Sequence, residues 1–154
     1  MDEDFNRNIG FLVHDVARLM RTIYDRRMAP LGLTRSQWWV LNHLYVYEGI
    51  SQTELAGLLD IEKPSLGRLL HRMEMKGWIE RRDDPNDGRT KRVHLTDKVR
   101  PMLQIMRDLA SVTRNEAMRS LDDNEREVLT DLLQRMRDDL SVMASEPRES
   151  EAAE

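Results

Sequence analysis

Arginine, histidine and serine side chains share one face of a helix that the sequence predicts over about 62–76. Apolar residues recur there with helical spacing, which assigns a buried face to Leu66, Leu69, Leu70 and Met73. An arginine can pair with O6 and N7 of guanine, and a serine can bind a phosphate or a base edge. The opposite face therefore suits the major groove of DNA, although an ordinary amphipathic surface helix would show the same spacing. That face carries Pro64, Ser65, Arg68, His71 and Arg72.

A basic β-hairpin is predicted directly after this helix. WIERR (78–82) and KRVHL (91–95) alternate apolar with charged residues, as half-buried strands do, and DDPNDGRT between them is rich in turn-forming residues. An arginine at the tip, Arg89, can enter the narrow minor groove, where the negative potential is strongest. Asp87 can hold that guanidinium by a charge-assisted hydrogen bond, and Lys91 is a further expected DNA contact. The alternative is a solvated turn with an ion pair of no consequence.

Capping patterns locate the helices that must position these residues. A first helix is predicted from about Phe5 to Leu31, and Thr96 is expected to cap another from about Asp97 to Ser120. Two short helices and a hairpin between longer terminal helices predict a mainly α fold, an α+β winged helix-turn-helix. Three further helix starts are marked by the pairs Thr34 with Gln37, Ser51 with Glu54, and Asp122 with Glu125.

The terminal helices carry more apolar residues at helical spacing than a small central module can cover, which predicts a homodimer. Residues 34–96 form the predicted DNA-binding lobe, and residues 1–33 and 97–144 form a helical dimerisation region. The acidic segment 145–154, poor in apolar residues, is predicted to be disordered.

The charge distribution agrees with a local anion-binding surface. The net charge is −4, yet residues 62–94 hold nine Lys/Arg against six Asp/Glu, and the rest of the chain holds 15 against 22. A solvated surface of mixed charge is the alternative explanation. No signal-peptide pattern or membrane-length apolar run is present, so a cytoplasmic protein is expected.

Several classes of chemistry have no support in the sequence. Without cysteine there are no disulfides, thiolate metal sites or cysteine switches, and the four histidines lack tight ligand spacing. We find no phosphate-cradling glycine loop, His-Glu-x-x-His or Gly-x-Ser-x-Gly motif, so neither an enzyme nor a cofactor is expected. A small helical enzyme and a purely structural dimer are the competing interpretations. A structural dimer would have no need of the hairpin.

The segment 61–96 resembles the MarR family of regulators, most closely its SlyA-like branch. The resemblance rests on the Pro64-Ser65 opening of the helix, Arg68, the KGWIER step into the hairpin, the Asp-x-Arg of Asp87 and Arg89, and the closing Leu-Thr. It extends over about 10–143 and includes LTRSQWWVL at 33–41. It implies an obligate homodimer on a pseudo-palindromic site in double-stranded DNA, with repression as the commoner mode.

The resemblance also implies that a small, often aromatic, anionic ligand releases the DNA, for example an aromatic carboxylate or its coenzyme A thioester. Two arginines one turn apart can clamp a carboxylate, and indoles can sandwich a ring. The alternative is that the tryptophans belong to the core and that the arginines pair with acids of the other subunit. Carried over by position, the pocket is lined by Arg18, Arg21, Ser36, Trp38, Trp39 and Asn42.

Overall fold

The computed structural model describes residues 7–145, and these are mainly helical with one two-stranded antiparallel sheet. The predicted mainly α, winged helix-turn-helix architecture is confirmed. The predicted disorder of 145–154 lies outside the described residues except for Ser145, which ends the last helix. The elements are α1 (Ile9–Met28), a 3₁₀ turn (Ala29–Leu31), α2 (Arg35–Val46), α3 (Gln52–Leu59), α4 (Lys63–Met75), β1 (Ile79–Asp84), β2 (Asp87–Leu95), α5 (Arg100–Ala117) and α6 (Asp123–Ser145).

The three predicted capping pairs are confirmed. The Thr34–Gln37 and Ser51–Glu54 pairs each form a complete capping box. The Asp122–Glu125 pair exchanges hydrogen bonds between side chain and backbone at 2.9 and 2.8 Å. Each box satisfies two backbone N–H groups that the first turn of a helix leaves unpaired. The starts of α2, α3 and α6 are therefore fixed by local sequence.

Helices α3 and α4 meet at a tight turn. Asp60 ends α3 with a left-handed backbone (φ 51°), a conformation that aspartate tolerates better than most residues. Pro64 lies in the first turn of α4, where its missing N–H has no intrahelical partner to lose. Gly77 follows α4 with φ 71°, a left-handed backbone that glycine adopts without a steric penalty.

The hairpin is longer and its turn shorter than the sequence predicts. Asp84 pairs with Asp87, so the turn proper is Pro85-Asn86, and Gly88–Thr90 form a bulge before Lys91 pairs with Asp83. The prediction that 83–90 are all turn is therefore wrong. Aspartate is a poor strand residue, but Asp83 here forms an ion pair with Lys91 across the strands, which offsets that preference.

A single apolar core lies beneath the helix-turn-helix and the hairpin. The predicted buried face of α4 is confirmed, because its four apolar residues are at most 5% exposed. They pack with apolar residues of α2, α3, the hairpin and α5, among them Leu41, Leu44, Leu55, Ile79, Val93 and Leu103. This packing holds α4 in place, so that its opposite face is directed outward in a fixed orientation.

Thr96 does not cap α5, contrary to the prediction. Its hydroxyl donates to the Gly77 carbonyl oxygen at 2.6 Å, which ties the end of the hairpin to the end of α4. Helix α5 begins instead at Arg100, so Pro101 lies in its first turn.

Among the described residues, 7–113 form one compact unit and 114–145 belong to a second. Helix α6 of the second unit has 23 residues and buries none of them. Among residues 7–145, none of the helices has the length and apolar character needed to cross a membrane.

Candidate nucleic-acid interface

The outer face of α4 presents two arginines, Arg68 and Arg72, that have no ion pair within residues 7–145. Arg68, His71 and Arg72 are exposed, and Ser65 is half-buried beside them. The Arg68 Nη2 donates to the Ser65 hydroxyl at 3.0 Å, a neutral acceptor that leaves the guanidinium charge uncompensated. Pro64 is exposed in the first turn of the same helix. The structure thus brings together the five residues of α4 that the sequence assigns to DNA.

Ser36, which the resemblance assigns to the ligand pocket, lies against this face of α4. It sits near the start of α2 and lines a shallow hollow with Ser65, Arg68 and Arg72 of α4. Ile61, from the turn between α3 and α4, forms part of the same hollow. Ser36 is therefore positioned to add a hydroxyl donor beside the two arginines.

Asp87 organises the bulge of β2 in a way that differs from the predicted ion pair. Its carboxylate accepts the backbone N–H of Arg89 at 3.0 Å and the hydroxyl of Thr90 at 2.8 Å. The predicted bond to the Arg89 guanidinium is not formed within residues 7–145, and the Asp87 carboxylate binds the Arg89 backbone instead. The Arg89 side chain is exposed, and the part of the chain that the structure describes gives it no carboxylate partner.

A second hollow joins the hairpin to the helix-turn-helix. Gln52 and Thr53 reach it from the first turn of α3, and Lys63 reaches it from the first turn of α4. Sequence reasoning missed these three residues as binding candidates. Lys63 was visible among the basic residues of 62–94, but Gln52 and Thr53 become candidates only once the hairpin folds beside α3. Arg89, Thr90 and Lys91 line the other side of the hollow.

The basic residues of this region fall into two groups. One group is neutralised by carboxylates of the chain itself: Arg81 by Glu74, Arg82 by Glu80, Lys91 by Asp83 and Arg92 by Asp84. Within residues 7–145, the other group has no ion pair and comprises Lys63, Arg68, Arg72, Lys76 and Arg89. Lys76 lies over the Trp78 ring, with its Nζ 4.2 Å from the ring centroid. Unpaired cations are the ones free to neutralise phosphate.

Two carboxylates that pair with this group, Glu74 and Asp84, have lowered pKa values. The Arg81 guanidinium keeps the pKa of Glu74 below its ordinary value, chiefly by its side-chain hydrogen bonds. The backbone N–H of Asn86, followed by Arg92, lowers the pKa of Asp84. Both carboxylates bind a residue of the hairpin and stay charged at neutral pH, so the hairpin has a fixed set of ionic contacts there.

The remaining residues assigned to a ligand pocket are only partly brought together. Trp38 is a core residue, 4% exposed, and its Nε1 donates to Asp25 at 2.9 Å. Trp39 is half-buried and meets the Trp38 ring edge-on at 5.3 Å between centroids. Arg18 is exposed and pairs with Asp15 at 3.1 Å on its own helix. Arg21 is half-buried, and Asn42 is exposed.

Asp25 is a carboxylate beside this aromatic pair that the sequence did not single out. It accepts hydrogen bonds from Arg35 and Trp38, with the Arg35 bond contributing most to its lowered pKa and Arg21 adding a smaller electrostatic effect. The arginines near Trp38, Arg35 and Arg21, therefore already interact with a carboxylate of the chain itself.

Comparison with known proteins agrees with this geometry. A family model described as the MarR family matches residues 33–91. A transcriptional regulator, PA3341, is 31% identical over 87% of this chain and 98% of its own, with a TM-score of 0.78. A MarR structure aligns at 25% identity over 94% of this chain and 97% of its own, with a TM-score of 0.80.

A further match is a mutant MarR from E. coli complexed with operator DNA. It is 29% identical over 88% of this chain and 99% of its own, with a TM-score of 0.71. The family match covers α2 to the bulge of β2, which is the region that carries the unpaired cations. The chain belongs to the MarR family of transcriptional regulators.

Proposed function

We propose that this regulator binds a pseudo-palindromic operator as a homodimer, inserts α4 of each subunit into the major groove, and represses transcription. The proposal rests on the outer face of α4, where Arg68 and Arg72 are exposed and have no ion pair within residues 7–145. The opposite face of the helix is buried in the core. Guanidinium groups held on a rigid helix are suited to guanine O6 and N7. The proposed α4 contacts are Pro64, Ser65, Arg68, His71 and Arg72.

The hairpin is the proposed second contact. Arg89 projects from the bulge and reads the width of the minor groove, Asp87 shapes the bulge, and Lys91 lies on the strand beside it. The hollow that Lys63 shares with the hairpin suits a backbone phosphate, because two of its lining cations, Lys63 and Arg89, have no ion pair. Phosphate contacts of this kind fix register rather than sequence.

Dimerisation is proposed from the apolar side chains that the single chain leaves in solvent. A second copy of the chain would cover them and place two α4 helices on successive major grooves, about 34 Å apart. We assign residues 1–33 and 97–144 to this dimerisation region. The exposed set includes Ile9, Phe11, Leu12, Val16 and Leu19 of α1, and Val128, Leu129, Leu132, Leu133, Leu140 and Met143 of α6.

We further propose that a small aromatic anion, a carboxylate or its coenzyme A thioester, lowers DNA affinity. The half-buried Trp39 offers a ring face or edge, and the half-buried Arg21 offers a cation on the neighbouring part of α1. The resemblance adds four residues to the proposed pocket: Arg18, Ser36, Trp38 and Asn42. We also propose, from the same resemblance, that the chain belongs to the SlyA-like branch of the family. The ligand would act by binding more tightly to a conformation in which the two α4 helices are separated by a different distance. A preference of a few kcal/mol is enough to shift most dimers into that conformation.

The test is a gel-shift assay of the full-length protein against genomic fragments, followed by footprinting. We expect protection of two half-sites roughly 10 base pairs apart. Arg68→Ala should cost ~1–3 kcal/mol and blur preference at one base position in each half-site. The matched control is Arg82→Ala, because Arg82 is already paired with Glu80. If Arg68→Ala binds like wild type, α4 has been wrongly assigned to the major groove.

A further inference from the structure

Arg92 joins three segments that meet at the base of the hairpin. Its Nε donates to the Asp84 carboxylate, and its Nη1 donates to the Gly49 carbonyl oxygen at 2.8 Å. Asp84 is only 7% exposed, and its other oxygen accepts the backbone N–H of Asn86 at 2.8 Å. One guanidinium therefore connects the end of β1 and the turn to the segment that leads into α3.

The backbone at the same place forms a short additional strand pairing. Gly49 N–H donates to the Val93 carbonyl oxygen, and Val93 N–H donates to the Ile50 carbonyl oxygen, each at 3.0 Å. Ser51 forms an isolated bridge with Arg92. Toward the tip, the described residues show no further backbone bond between β2 and this segment. The direction in which β2 projects from α3 is therefore set at Arg92. Arg92 lies three residues after the bulge residue Arg89 in the chain, at the base of the hairpin.

We propose that Asp84 and Arg92 are positioning residues for DNA binding. They hold the hairpin relative to α3 and α4 so that Arg89 reaches the minor groove while Arg68 is in the major groove. The inference rests on the proposed function and adds to it two residues outside the assigned contacts. A planar guanidinium suits this role because it bonds a carboxylate and a carbonyl oxygen at once, which an ammonium on a flexible stem does less well.

Removing the charge of Asp84 should change DNA affinity in opposite directions, depending on whether Asp84 acts through its charge or by positioning the hairpin. An acid near a polyanion weakens binding by repulsion, so removing it should strengthen binding if charge alone matters. If the clamp positions the hairpin, removing the charge should weaken binding instead. The neighbouring Asp83 provides the matched control, because it is an exposed acid whose ion pair with Lys91 stays inside the hairpin.

The experiment measures the Kd of full-length variants for a labelled duplex that the wild type enriches from a random-sequence pool. Asp84→Asn should weaken binding at least about threefold, whereas Asp83→Asn should bind as tightly as wild type or more tightly. In an Arg89→Ala background, Asp84→Asn should change Kd by less than about twofold, because the group it positions is gone. Thermal unfolding of each variant checks that the fold is retained.

Equal or tighter binding by Asp84→Asn would overturn the inference, as would the same fold-loss in both backgrounds. The second variant is Arg92→Lys, which keeps the positive charge. If Arg92 merely contacts phosphate, this variant should bind DNA like wild type. If Arg92 positions the hairpin, the variant should bind as weakly as Asp84→Asn. A wild type that enriches no duplex defeats the proposed function and this inference with it. Additive losses in a wild type that binds defeat this inference alone.

Discussion

Substitution of Leu132 by aspartate tests the proposed dimer directly. Leu132 is 52% exposed on α6, a helix without a buried residue in the single chain. Fully burying a leucine is worth about 1.5–3 kcal/mol, so covering the exposed half contributes roughly 1 kcal/mol per subunit. Two-fold symmetry doubles the loss to roughly 2 kcal/mol, before any cost of desolvating the new carboxylate. The dimer Kd should therefore rise about 30-fold or more.

The assay is sedimentation equilibrium across a concentration series, with far-ultraviolet circular dichroism to show that the chain stays folded. Leu58→Asp is the matched control, because Leu58 is a leucine of similar exposure (48%) on α3, outside the proposed dimerisation region. Leu58→Asp should leave the dimer intact. The reasoning is refuted if the wild type is a stable folded monomer at low micromolar concentration, or if Leu132→Asp and Leu58→Asp dimerise equally well.

Three other outcomes are expected. Arg89→Ala should weaken DNA binding with less loss of base preference than Arg68→Ala, measured by competition with base-substituted duplexes; equal loss of preference would argue against minor-groove placement. A panel of aromatic acids and thioesters should include one that releases DNA and quenches tryptophan fluorescence, and Arg18→Ala/Arg21→Ala should abolish that release; undiminished release would exclude the proposed pocket. Because the pKa of Glu74 is lowered from 4.5, the stability from its bonds to hairpin nitrogens is present above that pH and is lost as pH falls through the lowered value. The Tm difference between wild type and Glu74→Gln should therefore shrink in acid. A difference that stays constant with pH would show that the contact between ionised Glu74 and Arg81 does not stabilise the fold.

Local rules predicted most of the helix-turn-helix. The capping boxes at Thr34 and Ser51 work through side chains within three residues, so the sequence contains everything that they need. The apolar spacing of α4 likewise determines which side faces the core. That is why the exposed position of Arg68 was predicted correctly without any knowledge of tertiary contacts.

The errors arose where a distant partner decides the outcome. Asp83 and Asp84 have turn-like chemistry, but an ion pair to Lys91 and a clamp to Arg92 hold them in a strand. Thr96 has cap-like chemistry, but its hydroxyl donates a hydrogen bond to the distant Gly77 carbonyl oxygen. The second hollow was missed for the same reason, since no sequence spacing connects Gln52 to Arg89.

The exposed apolar face of α6 links the stability of the protein to its concentration if the proposed dimer forms. An isolated helix of this kind is marginal in water, and its stability comes chiefly from packing of its apolar face. If a second copy supplies that packing, each tenfold dilution lowers the stability of the assembled form by about 1.4 kcal/mol. Newly made chains at low copy number would then be the ones most open to proteases. The abundance of the regulator and its lifetime would rise and fall together.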